Sequence, residues 1–189
     1  SRLADEHGFA LLRATSKIFR ASALILRNRP AEALPLVLEG IDQYRASGAE
    51  MALPFYCLLV ARTRLLAGQV PEARIALGEA FRYSEKNDDR FRESELHLLG
   101  GELALAESHD AAQAEKDYLK ALDVARRQQS KSMQLRSTLA LARLGMERGQ
   151  RDPARQALKD VIATFNEGFG MPDLVDAAAL LASPASPAT

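Results

Sequence analysis

The chain has 189 residues, of which 47% are hydrophobic, and its 25 basic and 25 acidic residues leave no net charge. A chain without net charge has no general electrostatic attraction to nucleic acid or to an anionic membrane. No apolar run approaches the ~20 residues that a membrane span needs. The single cysteine, Cys57, excludes an internal disulfide, and its apolar neighbours predict a buried thiol.

The hydrophobic periodicity predicts four helical hairpins followed by one short helix. The hairpins cover about residues 3–47, 50–86, 91–128 and 131–166, and the last helix covers residues 172–182. Because the end of a helical array needs a cap, the last helix is expected to cover the fourth hairpin with Leu174, Ala177, Ala178 and Leu181. Residues 1–182 would then form a single domain, and residues 183–189 a disordered tail.

The second helix of each predicted hairpin carries the same pattern of a small, a larger and again a small or aliphatic residue. The four triplets are Ala33, Val37, Gly40; Ala73, Leu77, Ala80; Ala114, Tyr118, Ala121; and Ala154, Leu158, Val161. Their first members lie 40, 41 and 40 residues apart. Such a constant period is typical of a helical solenoid, in which each hairpin buries its apolar face by stacking on its neighbours.

The third hairpin shows the packing between its two helices most clearly. Its first helix has Gly100 and Gly101 near the middle, where glycine lowers helix propensity by roughly 1 kcal/mol, so we expect close contact with the partner helix there. Its internal turn carries one extra residue, near His109. The residues expected to pack the hairpins are Ala33, Ala73, Ala80, Gly101, Ala114, Tyr118, Ala121 and Ala154.

This pattern, preceded by a Gly-x-x-x-x-Ala turn at residues 68–73 and 149–154, resembles the tetratricopeptide repeat. The resemblance implies an all-α, right-handed superhelical solenoid of four helical hairpins plus a C-terminal capping helix. The period of 40 to 41 residues exceeds the 34 of that repeat, which implies longer helices and a different superhelical pitch.

Residues 93–182, and "EGFGMPDLVDAAALL" above all, are similar to the C-terminal helical repeats of large bacterial signalling proteins. Those proteins join a class III adenylate or guanylate cyclase domain, or a winged-helix DNA-binding domain, to an ATPase domain and then to the repeats. The resemblance implies a cytoplasmic, non-catalytic regulatory module. Its partner would be another domain of its own full-length chain or a separate protein or peptide.

The motif search indicates no catalytic site, no metal site and no cofactor. The chain contains no phosphate-binding loop, no His-Glu-x-x-His, no cysteine pair and no Gly-x-Ser-x-Gly elbow. The three histidines lie on different hairpins. We expect His97, one turn after Glu93, to be an exposed helical histidine, because two ligands do not make a zinc site.

Charged residues recur at the same level of successive first helices, which line the concave side of a tetratricopeptide solenoid. The period superposes Arg62, Glu102 and Arg143, and likewise Phe55, Glu95 and Arg136. We expect Glu102 to face Arg143 and Glu95 to face Arg136. Such pairs either fix the register between hairpins, at ~0.2 to 1 kcal/mol each, or present the arginines to a ligand carboxylate or a partner helix.

Two neighbouring regions differ in charge: residues 85–115 have nine acidic and three basic residues, and residues 116–159 have eleven basic and four acidic. Attraction between adjacent hairpins explains this most simply. A nucleic-acid surface is not expected, because only one aromatic residue lies within the basic stretch. A sensor that binds a small molecule or peptide in the concave groove, and an oligomerisation scaffold such as a homodimer, remain alternatives to the regulatory module.

Overall fold

The computed structural model describes residues 9–183 and shows an all-α chain, as predicted, without a strand in that range. Nine helices follow one another there. They are α1 (Ala10–Leu26), α2 (Pro30–Ala46), α3 (Leu53–Leu66), α4 (Val70–Lys86), α5 (Glu93–Ser108), α6 (Ala111–Arg127), α7 (Lys131–Glu147), α8 (Arg151–Ile162) and α9 (Pro172–Ala182). The first eight lie within the four predicted hairpins, whereas residues 3–8 of the first hairpin and 184–189 of the tail lie outside the described range. Pro35 lies inside α2.

The turns between the helices share one conformation. A residue with positive φ ends each of the first eight turns, at Asn28, Gly48, Gly68, Asp88, His109, Gln129, Gly149 and Gly168. After six of these residues, the next backbone N–H donates to a carbonyl of the last helical turn, as in Arg29 N to Leu24 O at 3.0 Å. The regular spacing of these left-handed residues makes the repeat visible in the backbone.

The extra residue of the third hairpin lies in the last turn of α5. The backbone N–H of Asp110 donates to the carbonyl of Ala104, six residues back, at 3.3 Å, whereas the five equivalent bonds reach back five residues. The carboxylate of Asp110 then accepts a hydrogen bond from Gln113 N at 2.9 Å and so caps α6. The insertion therefore widens one turn without changing the packing of the next helix.

Gln129 has φ 54° at a turn position where glycine is the least strained residue. We expect Gln129→Gly to raise the free energy of unfolding by about 0.5 to 1 kcal/mol, since a left-handed conformation costs other residues roughly that much. The opposite change, Gly68→Ala, should lower it by about 1 kcal/mol, because an added Cβ would touch nothing within 4 Å and only the backbone would be strained. Urea unfolding of both variants measures the two shifts, and shifts of the same sign would contradict the explanation.

Small residues let the two helices of each hairpin approach closely. An ideal Cβ on Gly101 of α5 would lie 2.6 Å from Cδ1 of Tyr118 and 3.0 Å from the Ala114 carbonyl, both on α6. Gly40 of α2 lies equally close to Ile18 of α1, where the same distance to Cγ1 is 2.6 Å. The glycines therefore occupy the closest contact points of the third and first hairpins.

The predicted packing residues are buried in the first three hairpins and only in part in the fourth. Ala33, Ala73, Ala80, Ala114, Tyr118 and Ala121 are all at most 3% exposed, and Gly101 is buried as well. In the fourth hairpin Leu158 is buried, but Ala154 is half-buried. The reason is that only the short helix α9 follows α8, so that the fourth hairpin lacks a complete neighbour.

Each helix packs on the next helix in the chain, most closely within a hairpin. The odd-numbered helices also lie side by side, since α1 contacts α3, α3 contacts α5, and α5 contacts α7. Within the described range, no two even-numbered helices approach each other in this way, and α9 contacts α7 and α8. The odd-numbered helices thus form one continuous face of the array. No helix between residues 9 and 183 combines the length and apolar character needed to cross a bilayer.

Candidate functional site

The odd-numbered helices enclose an open cavity of about 390 Å³ that runs across all four hairpins. We call it the central groove. Its lining side chains are Ser22, Ile25 and Leu26 of α1; Phe55, Leu59 and Arg62 of α3; Glu95, Leu98 and Glu102 of α5; Arg136, Leu139, Ala140 and Arg143 of α7; and Asp173 and Asp176 of α9. All six candidate binding residues from the sequence therefore line one cavity.

One end of the central groove is apolar. Ile25, Leu26, Phe55 and Leu59 lie at this end, and the side chain of Leu26 is 87% exposed. The guanidinium of Arg92 lies over the ring of Phe55, 4.1 Å from its centroid, which fixes that ring at the edge of the groove. This end offers exposed apolar surface on which the apolar side chains of a bound segment can be buried.

The middle of the central groove is charged, but its ion pairs differ from those expected. Glu102 pairs with Arg62 of the preceding hairpin, and Glu95 pairs with Arg92 of its own helix at 3.0 Å. The predicted contacts of Glu102 with Arg143 and of Glu95 with Arg136 are therefore wrong. The repeat period places these residues at the correct level, but a residue period does not determine which neighbouring helix each side chain reaches.

The two arginines of α7 pair with the capping helix instead. Arg136 Nε lies 2.7 Å from Asp173 Oδ2, and Arg143 Nη2 lies 3.3 Å from Asp176 Oδ2. The sequence argument missed both aspartates because α9 lies outside the repeat period. The spacing of Asp173 and Asp176 by three residues, which puts both on one side of a helix, could have indicated them.

These pairs leave no arginine of the central groove without a carboxylate partner. The interpretation of the arginines as register-fixing residues is thus favoured over that of an open carboxylate site. The pair of Arg143 and Asp176 is the most open, with both side chains more than half exposed. A bound segment can therefore gain hydrogen bonds at the edge of the groove, whereas the apolar side chains offer it a surface to bury.

The pairing of Arg62 with Glu102 can be tested by a double-mutant cycle. We expect Arg62→Ala and Glu102→Ala to be coupled by about 0.5 to 1 kcal/mol, because both side chains are only about a third exposed, at 26% and 31%. The matched cycle of Glu102→Ala with Arg143→Ala should show no coupling. Chemical unfolding of the six variants and the wild type decides the point, and coupling in the second cycle alone would restore the pairing expected from the sequence.

A second cavity of about 220 Å³ lies among α2, α3 and α4 and contains the only cysteine. Cys57 is buried, as predicted, and its Sγ lies 3.8 Å from Arg45 Nη2. Arg45 in turn forms an ion pair with Glu79 at 2.7 Å. Burial raises the pKa of the Cys57 thiol to about 11, so the thiol is protonated at neutral pH and is a poor nucleophile.

The histidine that the sequence placed on an exposed helix surface is half-buried. The ring of His97 packs against that of Phe81 with 5.2 Å between their centroids, because α4 covers this side of α5. Burial lowers the pKa of His97 below its ordinary value. Within residues 9–183, no group of three or more histidine, cysteine or carboxylate side chains is placed to hold a metal ion.

The central groove is therefore the largest arrangement that combines apolar surface, ion pairs and contributions from every hairpin. Its chemistry is that of binding, since its arginines are paired with carboxylates and its other side chains are mainly aliphatic. No protein-family model, curated protein or solved structure matches the chain.

Proposed function

We propose that this chain is a tetratricopeptide-like interaction module whose central groove binds a segment of another polypeptide. The observation that carries the proposal is the continuity of the groove, to which α1, α3, α5, α7 and α9 all contribute side chains. A surface built from five helices suits an extended ligand such as a helix or a peptide better than a small molecule.

The proposed architecture is a right-handed solenoid with the odd-numbered helices on its inner side. The side-by-side contacts of α1, α3, α5 and α7 support this arrangement, since helices on the inner side of a curved array lie closer together than those on the outer side. The left-handed turn residues at intervals of about 20 support a regular succession of hairpins.

The proposed role is regulatory. The similarity of residues 93–182 to the repeats of bacterial cyclases and winged-helix regulators supports a cytoplasmic signalling protein as the parent. The segment bound in the central groove would then be part of another domain of the same chain or of a separate protein. Binding and release of this segment would change the position of the domain to which it belongs, and through it the output.

A set of 20-residue helical peptides tests the proposed binding. Three peptides carry a leucine seam with glutamate, lysine or glutamine on its edges, and a fourth has serine in place of leucine. Because the arginines are already paired, we expect the three leucine peptides to bind with dissociation constants within about tenfold of one another, and the serine peptide not to bind. Fluorescence anisotropy of labelled peptides measures the affinities.

Two matched variants locate the binding. Ala140 lies in the central groove on α7, so Ala140→Arg fills the groove and should weaken binding at least about tenfold. Ala157 lies exposed on α8 outside the groove, so Ala157→Arg should leave binding unchanged. The proposal fails if no leucine peptide binds below ~1 mM, or if both variants bind as the wild type does.

A further inference from the structure

The first helix of the array presents an apolar stripe to solvent. Leu12, Ser16, Phe19, Ala23 and Leu26 follow one another at intervals of four and three residues, so they share one side of α1. That side lies opposite Ala14, Ile18 and Ala21, which are buried against α2. Leu12, Phe19 and Leu26 are 56%, 59% and 87% exposed. This stripe is here called the α1 stripe.

The surroundings of the α1 stripe are basic. Residues 9–31 contain five basic and no acidic residues. Arg13, Arg20 and Arg27 recur every seven residues and therefore follow one edge of the stripe. Lys17 pairs with Glu39 of α2, but neither Arg20 nor Arg27 has an ion-pair partner among residues 9–183. This end of the array thus combines exposed apolar side chains with uncompensated positive charge.

The last helix has a matching stripe of opposite charge. Met171, Val175, Ala178 and Ala182 also follow one another at intervals of four and three residues, opposite the buried Leu174 and Ala177. Met171 and Val175 are about half exposed, and Ala178, which was expected to cover the fourth hairpin, points outward in this α9 stripe. Residues 160–183 contain four acidic and no basic residues.

The two stripes are complementary in shape as well as in charge. The α1 stripe alternates large and small side chains, with Ser16 and Ala23 between Leu12, Phe19 and Leu26. The α9 stripe has its large residues at Met171 and Val175 and its small ones at Ala178 and Ala182. Each helix therefore offers both knobs and holes to the other. Every helix from α2 to α8 packs on neighbours before and after it, whereas the order of contacts leaves α1 and α9 as the two ends.

We propose that the α9 stripe of one copy packs on the α1 stripe of the next, so that copies associate head to tail and continue the helical array. The contact uses two different surfaces and is heterologous, so repetition gives an open chain or a closed ring. Pairing of two α1 stripes is disfavoured, because it would bring two sets of unpaired arginines together. Insertion of α1 into an anionic membrane explains neither the small residues between the large ones nor the presence of the arginines along one edge only.

The expected association is weak and depends on salt. A contact between helices of 17 and 11 residues buries less than the roughly 1,600 Å² of a standard interface, so we expect a dissociation constant between about 10 μM and 1 mM. Attraction between exposed charges is screened at high ionic strength. The weight-average sedimentation coefficient should rise with protein concentration and should rise at least about twofold less in 500 mM than in 50 mM salt.

Complementary variants distinguish the head-to-tail contact from other modes. Phe19→Glu places an acidic residue in the α1 stripe, and Val175→Glu does so in the α9 stripe, where it lies opposite no basic partner of its own copy. Each variant alone should stay monomeric. An equimolar mixture should form a one-to-one dimer and nothing larger, because it contains one intact stripe of each kind on different molecules.

The control is Ile75→Glu on α4, where the side chain is 69% exposed and belongs to neither stripe. It should associate as the wild type does, and thermal melts by circular dichroism should show that all three variants fold. A wild type that stays monomeric to about 1 mM overturns the proposal. So does a Val175→Glu variant that dimerises alone, which assigns the contact to two α1 stripes, or a monomeric wild type that binds phosphatidylserine vesicles through Phe19.

Discussion

Gly101→Ala is expected to lower the free energy of unfolding by about 2 kcal/mol, although alanine is the better helix former by roughly 1 kcal/mol. The added Cβ would lie 2.6 Å from the Tyr118 ring and 3.0 Å from the Ala114 carbonyl. The carbonyl belongs to the backbone of α6, so relief of the contact requires α5 and α6 to move apart. Urea unfolding followed by circular dichroism measures the loss.

Gly78→Ala is the matched control for this prediction. Gly78 is also a helical glycine, but an ideal Cβ there would have no atom within 4 Å. We expect this variant to gain up to about 1 kcal/mol from helix propensity alone. Equal effects of the two substitutions would show that α5 and α6 do not meet at Gly101.

Tyr118→Ala is expected to cost about 3 to 5 kcal/mol, which is the largest single effect that we predict. The ring is 3% exposed, and it fills the space between Ala114 and Ala121 on its own helix and Gly101 on the facing one. Its hydroxyl forms no hydrogen bond to another residue between 9 and 183. Tyr118→Phe should therefore change the stability by less than about 0.5 kcal/mol.

The two substitutions should be strongly coupled. In a Tyr118→Ala background the ring no longer opposes the added methyl group, so Gly101→Ala should cost at least about 1 kcal/mol less than in the wild type. The four proteins of this cycle can be compared by their denaturation midpoints and slopes. Additive costs would mean that the ring and the glycine are not in contact.

The repeat made much of the architecture predictable from the sequence. The spacing of 40, 41 and 40 residues between Ala33, Ala73, Ala114 and Ala154 reflects hairpins whose small residues must recur at the contact points. The same period brought Phe55, Glu95 and Arg136 to one level, and the structure places all three along the central groove. A period therefore predicts which residues lie near one another across hairpins.

The sequence could not predict the ion pairs in the same way. The choice of Glu102 between Arg62 and Arg143 depends on the distances and rotation between successive helices, which a period does not contain. Asp173 and Asp176 lie on α9, outside the repeat, yet they are the residues that pair with Arg136 and Arg143. His97 was misplaced for a related reason, since its exposure depends on how α4 lies against α5.

The end helices were also beyond the reach of the pattern. The apolar residues of α1 predict an amphipathic helix, but Leu12, Phe19 and Leu26 face away from the array while Ala14, Ile18 and Ala21 face into it. A helix with apolar residues on two sides does not itself indicate which side is buried. Only the position of α2 shows that the stripe of larger residues is the exposed one.

The central claim is that the face formed by the odd-numbered helices binds a polypeptide segment. The most direct test is an amide chemical-shift map of the ¹⁵N-labelled chain titrated with the tightest-binding leucine peptide. We predict that shifts concentrate on α1, α3, α5, α7 and α9, near Leu59, Leu98 and Ala140. Shifts confined to α2, α4, α6 and α8, or no shift at saturating peptide, would contradict it.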